Sequence, residues 1–486
     1  MPTGRGPLDG ISVGLGAAGR PYAVAAGLLS GLGAVVGDNG AVVLGGPTGP
    51  GARLIPAPGL RESGRGPADE GLPGGTLDHA TGVALATAAL AGWRSGSLIG
   101  VSELGVAIEV WLPEVMAAAY ASPTAMRPRP PVAAPGGGWL NLDLGAGGDA
   151  ADYERLLGTL DADADAATVA AAAQEWRLPV CDYRRAGATP LAAPLRVETG
   201  GGRGVPSGRP GRSSAAAGSP AGDLRVCDLT TMWAGPLATR LLQDLGAEIL
   251  KVEPGFRPDG MRAVAGGGIH PGGVQVEPGR DSAMWNALNT AKHHVDLDLR
   301  DPEQKDRFVA LASTCDVVID SFSPRVMPNF GVEDRLRNDP LLVSMPAFPP
   351  GPLRHWVAYG TGVHAVAGLG RRDDGAAWAP AVSYPDPLAG LTGALAVMAG
   401  VVARQAGVAV RRVEATLAGA VGPLTGRRPP VPVPGGGSSA DTGRRVGAVL
   451  LEMGRAEGLM VGRRVAGRDL LHPSGPFRPL PASAPD

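Results

Sequence analysis

The chain has 486 residues, with 44 Lys+Arg against 46 Asp+Glu and a formal net charge of -2. That length allows two to four domains, and so balanced a charge argues against nucleic acid or an anionic membrane as the main partner. Hydrophobic residues at 44% can build sizeable cores, whereas 76 Gly and 47 Pro imply much loop and linker.

Residues 11–36 (ISVGLGAAGRPYAVAAGLLSGLGAVV) read as a strand, a helix and a Leu-Gly-Ala turn, and residues 77–93 as a second, Ala-rich helix. RPRPPVAAPGGG (127–138) and the Gly/Ser/Pro-rich run at 200–222 look like flexible connectors. Between them, GWLNLDLG and DAATVAAAAQEWRL suggest a small α+β unit at 139–200. From Leu224 the pattern is clear: LRVCDL and EILKVEP as strands around the helix GPLATRLLQDLGA, then HHVDLDL, DVVIDSF and LLVSMPAF as further strands. Asp301 and Pro302 are placed to cap and start an intervening helix. Strands alternating with helices of this length predict an α/β fold on a doubly wound parallel sheet, with ligands beyond the carboxyl ends of the strands. The longest apolar stretch, Leu388 to Ala403, is rich in Gly and Ala and reads as a buried helix, too short for a membrane span. The tail 427–486, rich in Pro and Gly, is expected to wrap a surface.

Two segments echo two others in the same order: 11–36 resembles 224–250, and 77–93 resembles 385–401, pairing Asp78 with Asp386 and Gly82 with Gly390. The sequence therefore implies a partial internal duplication. The expected divisions are a truncated first copy at 1–126, a small domain at 139–200, a linker at 201–222, a catalytic α/β domain at 223–425 and a tail at 426–486.

Asp386 stands beside Pro387 at the door of its helix. Capping alone would produce that pair, yet a helix N-terminus also favours an ionised carboxylate able to attack an acyl carbon. The Gly-Pro of TTMWAGPLATRLL lets a ligand approach backbone N–H groups, but is no G-x-G-x-x-G dinucleotide fingerprint. Nearly every basic residue is arginine; the lysines are Lys251, Lys292 and Lys305. Lys251 and Lys292, with Arg257 and Arg262 in the loop between, form a candidate polyphosphate grip. Cys181, Cys227 and Cys315 have no CxxC spacing, and His293–His294 point to opposite faces, so no metal site is expected. Three such cysteines suit a reducing compartment, and MPTGRGPLDG lacks a signal-peptide pattern, so the expected location is the cytoplasm.

VCDLTTMWAGPLATRLLQDLGAEILKVEP, RPDGMR, LNTAKHHVDLDL, DVVIDSFSPRVMPNFGV, HWVAYGTGVHAVAGL and SYPDPLAGLTGALAVMAGVVAR together resemble, in order and over residues 223–425, the family III CoA-transferases (CaiB/BaiF type). That group includes formyl-CoA transferase and α-methylacyl-CoA racemase. The resemblance implies that Asp386 is a nucleophile acylated by an acyl-CoA thioester, forming an anhydride. It places Met232, Trp233, Ala234 and Gly235 by the thioester and CoA arm, Lys292 near the CoA phosphates, Phe322 by adenine or pantetheine, Ser321 among the CoA-binding residues, and Tyr359 where transferases carry Tyr. It implies CoA thioester as cosubstrate, no permanently bound cofactor, and an acyl-CoA and a carboxylic acid as partners.

The chain departs from that pattern at Trp233, where the formyl-CoA branch has Gln, and at Asn329, where it has Arg. No small domain of the usual size follows VEATL; the unit at 139–200 resembles it instead. The expectation is an intrachain pseudo-dimer, with a homodimer as the alternative, and Asp78 as a relic. Two rival functions remain open: a racemase or isomerase, for which His364 lies on the right segment but five residues from the expected slot, and a CoA-binding pseudoenzyme.

Overall fold

The computed structural model describes residues 6–46, 49–57, 60, 71–120, 128–144, 148–189, 193–200, 219–255, 258–263, 281–336, 339–425, 439–465 and 468–480. In the first half, β1 (Ser12–Leu15), β2 (Val35–Gly37), β3 (Val42–Leu44), β4 (Gly51–Ile55) and β5 (Leu98–Ser102) form a parallel sheet. A small antiparallel unit follows, with β6 (Val132–Ala133), β7 (Trp139–Leu142) and β8 (Val180–Asp182). The second half carries β9 (Leu195–Thr199), β10 (Arg225–Leu229), β11 (Glu248–Glu253), β12 (His293–Asp296), β13 (Val317–Asp320), β14 (Leu341–Ser344) and β15 (Val410–Ala415). These seven make one sheet in the order β12-β11-β10-β13-β14-β15-β9, parallel except for β9. It is an α/β fold, and this second sheet is doubly wound. One face packs into the large core shared with the first half, and the other covers a smaller cluster around Phe308.

Around the first strand and helix of each half, backbone hydrogen bonds recur 213 positions apart (Leu8 and Ala221). Leu8 N–H donates to Leu32 O as Ala221 N–H does to Leu245 O. Ala34 donates to Leu29 O as Ala247 does to Leu242 O, and Val35 to Ile11 O as Glu248 to Leu224 O. The Leu-Gly-Ala turns are closed by Gly33 at φ 100° and Gly246 at φ 105°, a backbone region that glycine enters without a Cβ penalty. The run β2-β1-β3-β4-β5 of the first sheet has its counterpart in β11-β10-β13-β14-β15 of the second, which carries β12 beyond β11.

Helices Thr76–Ser95 and Pro385–Gln405 pack against each other at the centre of the molecule. Residues 385–404 are all buried, and this helix, though long and apolar enough to cross a membrane, lies wholly inside the protein. Each also packs closely, through a glycine, on the helix that precedes it in its own half, Ala234–Asp244 for Gly390 and Arg20–Gly31 for Gly82. A Cβ on Gly390 would lie 2.9 Å from Ala234 O and 2.8 Å from Leu237 Cδ2; one on Gly82 would lie 2.9 Å from Pro21 O and 2.5 Å from Val24 Cβ. Helical glycine costs about 1 kcal/mol relative to alanine, but overpacking costs about 1–3 kcal/mol, so tight packing decides in favour of glycine.

Edge strands are exchanged. β9 follows the first half's small unit yet pairs antiparallel with β15 of the second. After helix Ser439–Ala456 and the hairpin β16 (Met460–Val465) and β17 (Arg468–Pro473), β18 (Phe477–Leu480) returns to pair antiparallel with β5. Arg240 of the second half forms a buried ion pair with Glu109 of the first. The expected divisions are thereby corrected in three places. The small unit begins before 139, because Val132–Ala133 pairs with Trp139–Leu140. It ends before 195, because β9 belongs to the large sheet. The tail contains an 18-residue helix whose Val446 and Leu450 are buried, besides the wrapping strand. Residues 201–218 of the expected linker lie outside the described residues.

Gly390→Ala and Gly82→Ala should each lower stability by about 1–3 kcal/mol. Chemical denaturation checks this; an unchanged midpoint would show that Gly390 is not packed tightly on Ala234–Leu237, or Gly82 on Pro21–Val24.

Candidate functional site

Asp386 lies in the first turn of helix Pro385–Gln405, one residue past Pro385, and is 8% exposed. It is not the cap that the Asp-Pro pair suggests. Tyr384 holds the cap position, and no side-chain cap bond is made. The Asp386 carboxylate accepts instead from Ser383 Oγ at 2.7 Å and from the Gly360 N–H. Gly360 begins helix Gly360–Val366, directly after Tyr359. A Cβ there would sit 2.3 Å from Asp386 Oδ2 and 2.5 Å from Ser383 Oγ, so this contact requires glycine.

Burial pushes the Asp386 carboxyl up to about 7, against the pull of the Ser383 and Gly360 bonds and with a further rise from the charge of Asp143. The expectation that the helix end keeps it ionised is thus corrected. A helix dipole is worth about 0.3–1 kcal/mol near the surface, while a rise of about three pKa units corresponds to roughly 4 kcal/mol. Desolvation wins, and the group titrates near neutrality.

The turn between β10 and helix Ala234–Asp244 brings most of the other expected residues together. Met232 adopts φ 68°, a strained region for a residue with a side chain, and stands where the first half has Gly19 at φ 135°. Its N–H donates to Asp259 Oδ1 at 3.0 Å. Thr231 N–H donates to Ser321 Oγ at 3.0 Å. Trp233 is fully buried, and its indole N–H has no acceptor among the described residues. Ala234 and Gly235 open the helix; a Cβ on Gly235 would meet Thr230 Cβ at 2.2 Å. Gly390, one turn beyond Asp386, packs on Ala234 O, so the two helix starts adjoin.

Lys251 and Lys292 are corrected. Neither faces solvent, where a phosphate grip would need them. The Lys292 ammonium is enclosed with Asp228 Oδ2 at 3.1 Å, Thr239 Oγ1 at 2.8 Å, Asn289 Oδ1 at 2.8 Å and Pro236 O at 3.0 Å. Burial lowers its pKa to about 8 despite the attraction of Asp228. Asp228 is itself held well below the usual carboxylate range, where the charges of Lys292 and Lys251 together with hydroxyl donors from Thr230 and Thr239 outweigh desolvation. Lys251 Nζ donates to Thr230 O at 2.7 Å and lies 3.9 Å from Asp259. Both lysines brace the turn from beneath.

Arg262 is tied to Glu253 and Asp281 at 2.8 Å each and lies 3.5 Å over the Trp285 ring. Arg257 lies outside the described residues. Phe322 is half-buried, edge-on to Phe330 at 6.2 Å. His364 is fully buried and held by Tyr384 Oη at 3.0 Å and Trp378 O at 3.2 Å; burial lowers its pKa to about 4. It is a neutral core histidine with both ring nitrogens engaged. In the first half, Asp78 lies 3.8 Å from Arg20. A cavity of about 300 Å³ opens there beside Arg20, Tyr22 and Glu103, at the turn equivalent to Met232–Gly235 and away from Asp386. No group of three or more His, Cys, Asp or Glu suited to a metal occurs among the described residues.

Sequence reasoning missed Ser383, Gly360, Asp143 and Asp259. Asp259 had a signal, since it lies within RPDGMR, but its acceptance from Met232 N–H emerges only in three dimensions.

Residues 222–450 match the pattern of CoA-transferase family III. The chain is 33% identical over 141 residues to a formyl-CoA:oxalate CoA-transferase of Afipia carboxidovorans, covering 28% of this chain and 31% of that protein. It is 30% identical over 141 residues to one of Bradyrhizobium diazoefficiens, with the same coverage. The chain thus spans about a third of the length of the curated relatives it matches. Among solved structures, a hypothetical protein of Mycobacterium tuberculosis overlaps at TM-score 0.36 and 28% identity, covering 41% of this chain and 55% of that one. A CaiB/BaiF family protein of Brucella suis overlaps at TM-score 0.37 and 24% identity, covering 42% and 55%.

Lys292→Met should destabilise the protein by about 3–5 kcal/mol, because it strands the Asp228 charge, and Asp228→Asn added to it should recover much of the loss. A solvent-facing phosphate contact predicts instead an unchanged unfolding midpoint and weaker CoA binding.

Proposed function

We propose, on the premise that residues 222–450 belong to CoA-transferase family III, that this chain moves CoA between an acyl-CoA and a carboxylic acid by acylation of Asp386. The observation that carries this reading is the Asp386 carboxyl itself, buried at a helix start, held by one hydroxyl and one N–H and titrating near 7. A carboxylate of raised basicity is a better nucleophile than an exposed one.

The sequence of bonds is as follows. An Asp386 oxygen attacks the thioester carbonyl, the C–S bond breaks, and CoA thiolate leaves an aspartyl–acyl anhydride. The thiolate then attacks the aspartyl carbonyl, freeing the first carboxylate and leaving an aspartyl thioester. The acceptor carboxylate attacks that thioester and expels the thiolate, giving a second aspartyl–acyl anhydride; the thiolate then attacks the new acyl carbonyl, the anhydride C–O bond breaks, and the new acyl-CoA and the free Asp386 carboxylate result. First-turn N–H groups at Trp233–Gly235 have no intrahelical acceptor, which suits them to the developing oxyanion. Arg257, Arg262, Phe322 and Tyr359 remain candidates for holding the CoA arm. The racemase reading loses support, since His364 is enclosed and neutral.

We further read the two halves as a duplicated unit serving as a pseudo-dimer with one working site, in the cytoplasm. The exchanged strands β9 and β18 support this. Light scattering with CoA titration should give one chain per particle and one CoA per chain; an obligate dimer with two CoA per chain contradicts it.

Incubation with a panel of acyl-CoAs and hydroxylamine should convert Asp386 of the native protein to its hydroxamate, read by the mass of the peptide that carries it, and leave that peptide of Asp386→Asn unmodified. Because the raised pKa leaves the carboxyl protonated at low pH, capture should rise with pH through about 7 and then level. At pH 6 it should be about tenfold below the plateau. Retained CoA binding without hydroxamate from any acyl-CoA would overturn the enzymatic reading in favour of a CoA-binding protein.

A further inference from the structure

The first half of the chain brings a second carboxylate to the Asp386 site. Asp143 follows β7, its own N–H donating to Pro179 O at 3.1 Å. Thr361 Oγ1 lies 2.5 and 2.6 Å from its two oxygens, Asn141 Nδ2 donates to Oδ2 at 2.8 Å, and the Gly362 N–H donates as well. Thr361 and Gly362 directly follow Gly360, whose N–H holds Asp386. Three consecutive residues therefore tether two carboxylates from opposite halves. The tether is crowded: a Cβ on Gly362 would lie 3.0 Å from Cys181 Sγ and 3.5 Å from Asp143 Oδ2.

The small unit is clamped along the same segment. Gln174 donates to Val357 O at 2.9 Å and accepts from Val357 N–H at 2.6 Å. Arg177 donates to His355 O at 3.1 Å, and Arg184 N–H to Ala365 O at 3.0 Å.

We propose that Asp143 is a positioning residue for Asp386: through Thr361 and Gly362 it fixes the turn that presents the Gly360 N–H, and its negative charge is felt by the Asp386 carboxylate. The proposal rests on the reading of Asp386 as acyl acceptor. Burial pushes Asp143 up to about 6 and Asp386 up to about 7, and the charge on Asp143 adds to the second rise. The pair therefore titrates as a coupled unit. Around Asp143, Arg129 pulls downward, while Cys181 and Tyr183 are themselves raised by burial first and then by the Asp143 charge. On the Asp386 side the direct partners are the neutral Ser383 hydroxyl and Gly360 N–H; His364 is neutral and the Tyr384 phenol is raised by burial.

The test compares Asp143→Asn, Asp143→Ala and Thr361→Val by two readouts. One is the titration of Asp386 by carboxyl carbon NMR of protein labelled in aspartate, assigned by difference with Asp386→Asn. The other is hydroxylamine capture against pH. Asp143→Asn still accepts from Thr361 but carries no charge. It should move the Asp386 midpoint down by roughly one pH unit and raise capture at pH 6 several-fold relative to its own plateau. Asp143→Ala and Thr361→Val release the turn and should lower the plateau about tenfold or more. An Asp386 midpoint unmoved in Asp143→Asn overturns the proposal. The NMR midpoint reports the coupling even if no acyl group is ever captured, so failure of the transferase reading is told apart from failure of this one.

Discussion

A carboxyl group taken out of water must either find donors or keep its proton, and the region around Asp386 is organised by that choice. Two neutral donors, Ser383 Oγ and Gly360 N–H, offset only part of the desolvation, and Asp143 adds repulsion. The outcome is a group balanced near neutral pH rather than a permanent anion. Asp228, at the end of β10, shows the opposite solution: fully buried, it meets the Lys292 ammonium and two threonine hydroxyls, feels the charge of Lys251, and stays ionised. One acid is stabilised as a brace, and the other is left poised for chemistry.

That balance depends on the whole chain. The donor Gly360 N–H belongs to a turn pinned by Asp143, which lies in the unit following the first half. That unit is attached to the second sheet by β9, and the first sheet is completed by β18 from the far end of the chain. The two central helices pack on each other, Gly390 and Gly82 each seat one of them on the helix before it at Ala234–Leu237 and Pro21–Val24, and the largest apolar cluster draws residues from both halves. Neither sheet is complete without a strand from beyond its own half.

Local signals in the sequence located the elements well and the partners poorly. The alternation from Leu224 onward gives β10, β11, β13 and β14 where the apolar runs stand, and Asp301 caps its helix through Gln304 N–H with Pro302 next. The Leu-Gly-Ala echoes mark two turns of like geometry. Lys292 looked like a surface cation because its partner Asp228 is 64 residues away, and nothing local marks the pair as buried. Asp143 sits in LNLDLG, where strand alternation makes an acid look solvent-facing; its burial follows from docking against Thr361, 218 positions later. Helix Ser439–Ala456 was hidden by flanking Pro and Gly, and the strand exchange is a tertiary fact that periodicity does not record.

Borohydride reduction offers the most direct check on the role of Asp386, since an acylated aspartate is reduced to homoserine while a free carboxylate is inert. The protein would be quenched during turnover with an acyl-CoA, digested, and the peptide spanning Pro385–Gln405 sequenced by mass. The account predicts homoserine in place of Asp386 only when acyl-CoA is present. Intact Asp386 in a preparation that is exchanging CoA between carboxylates would contradict it.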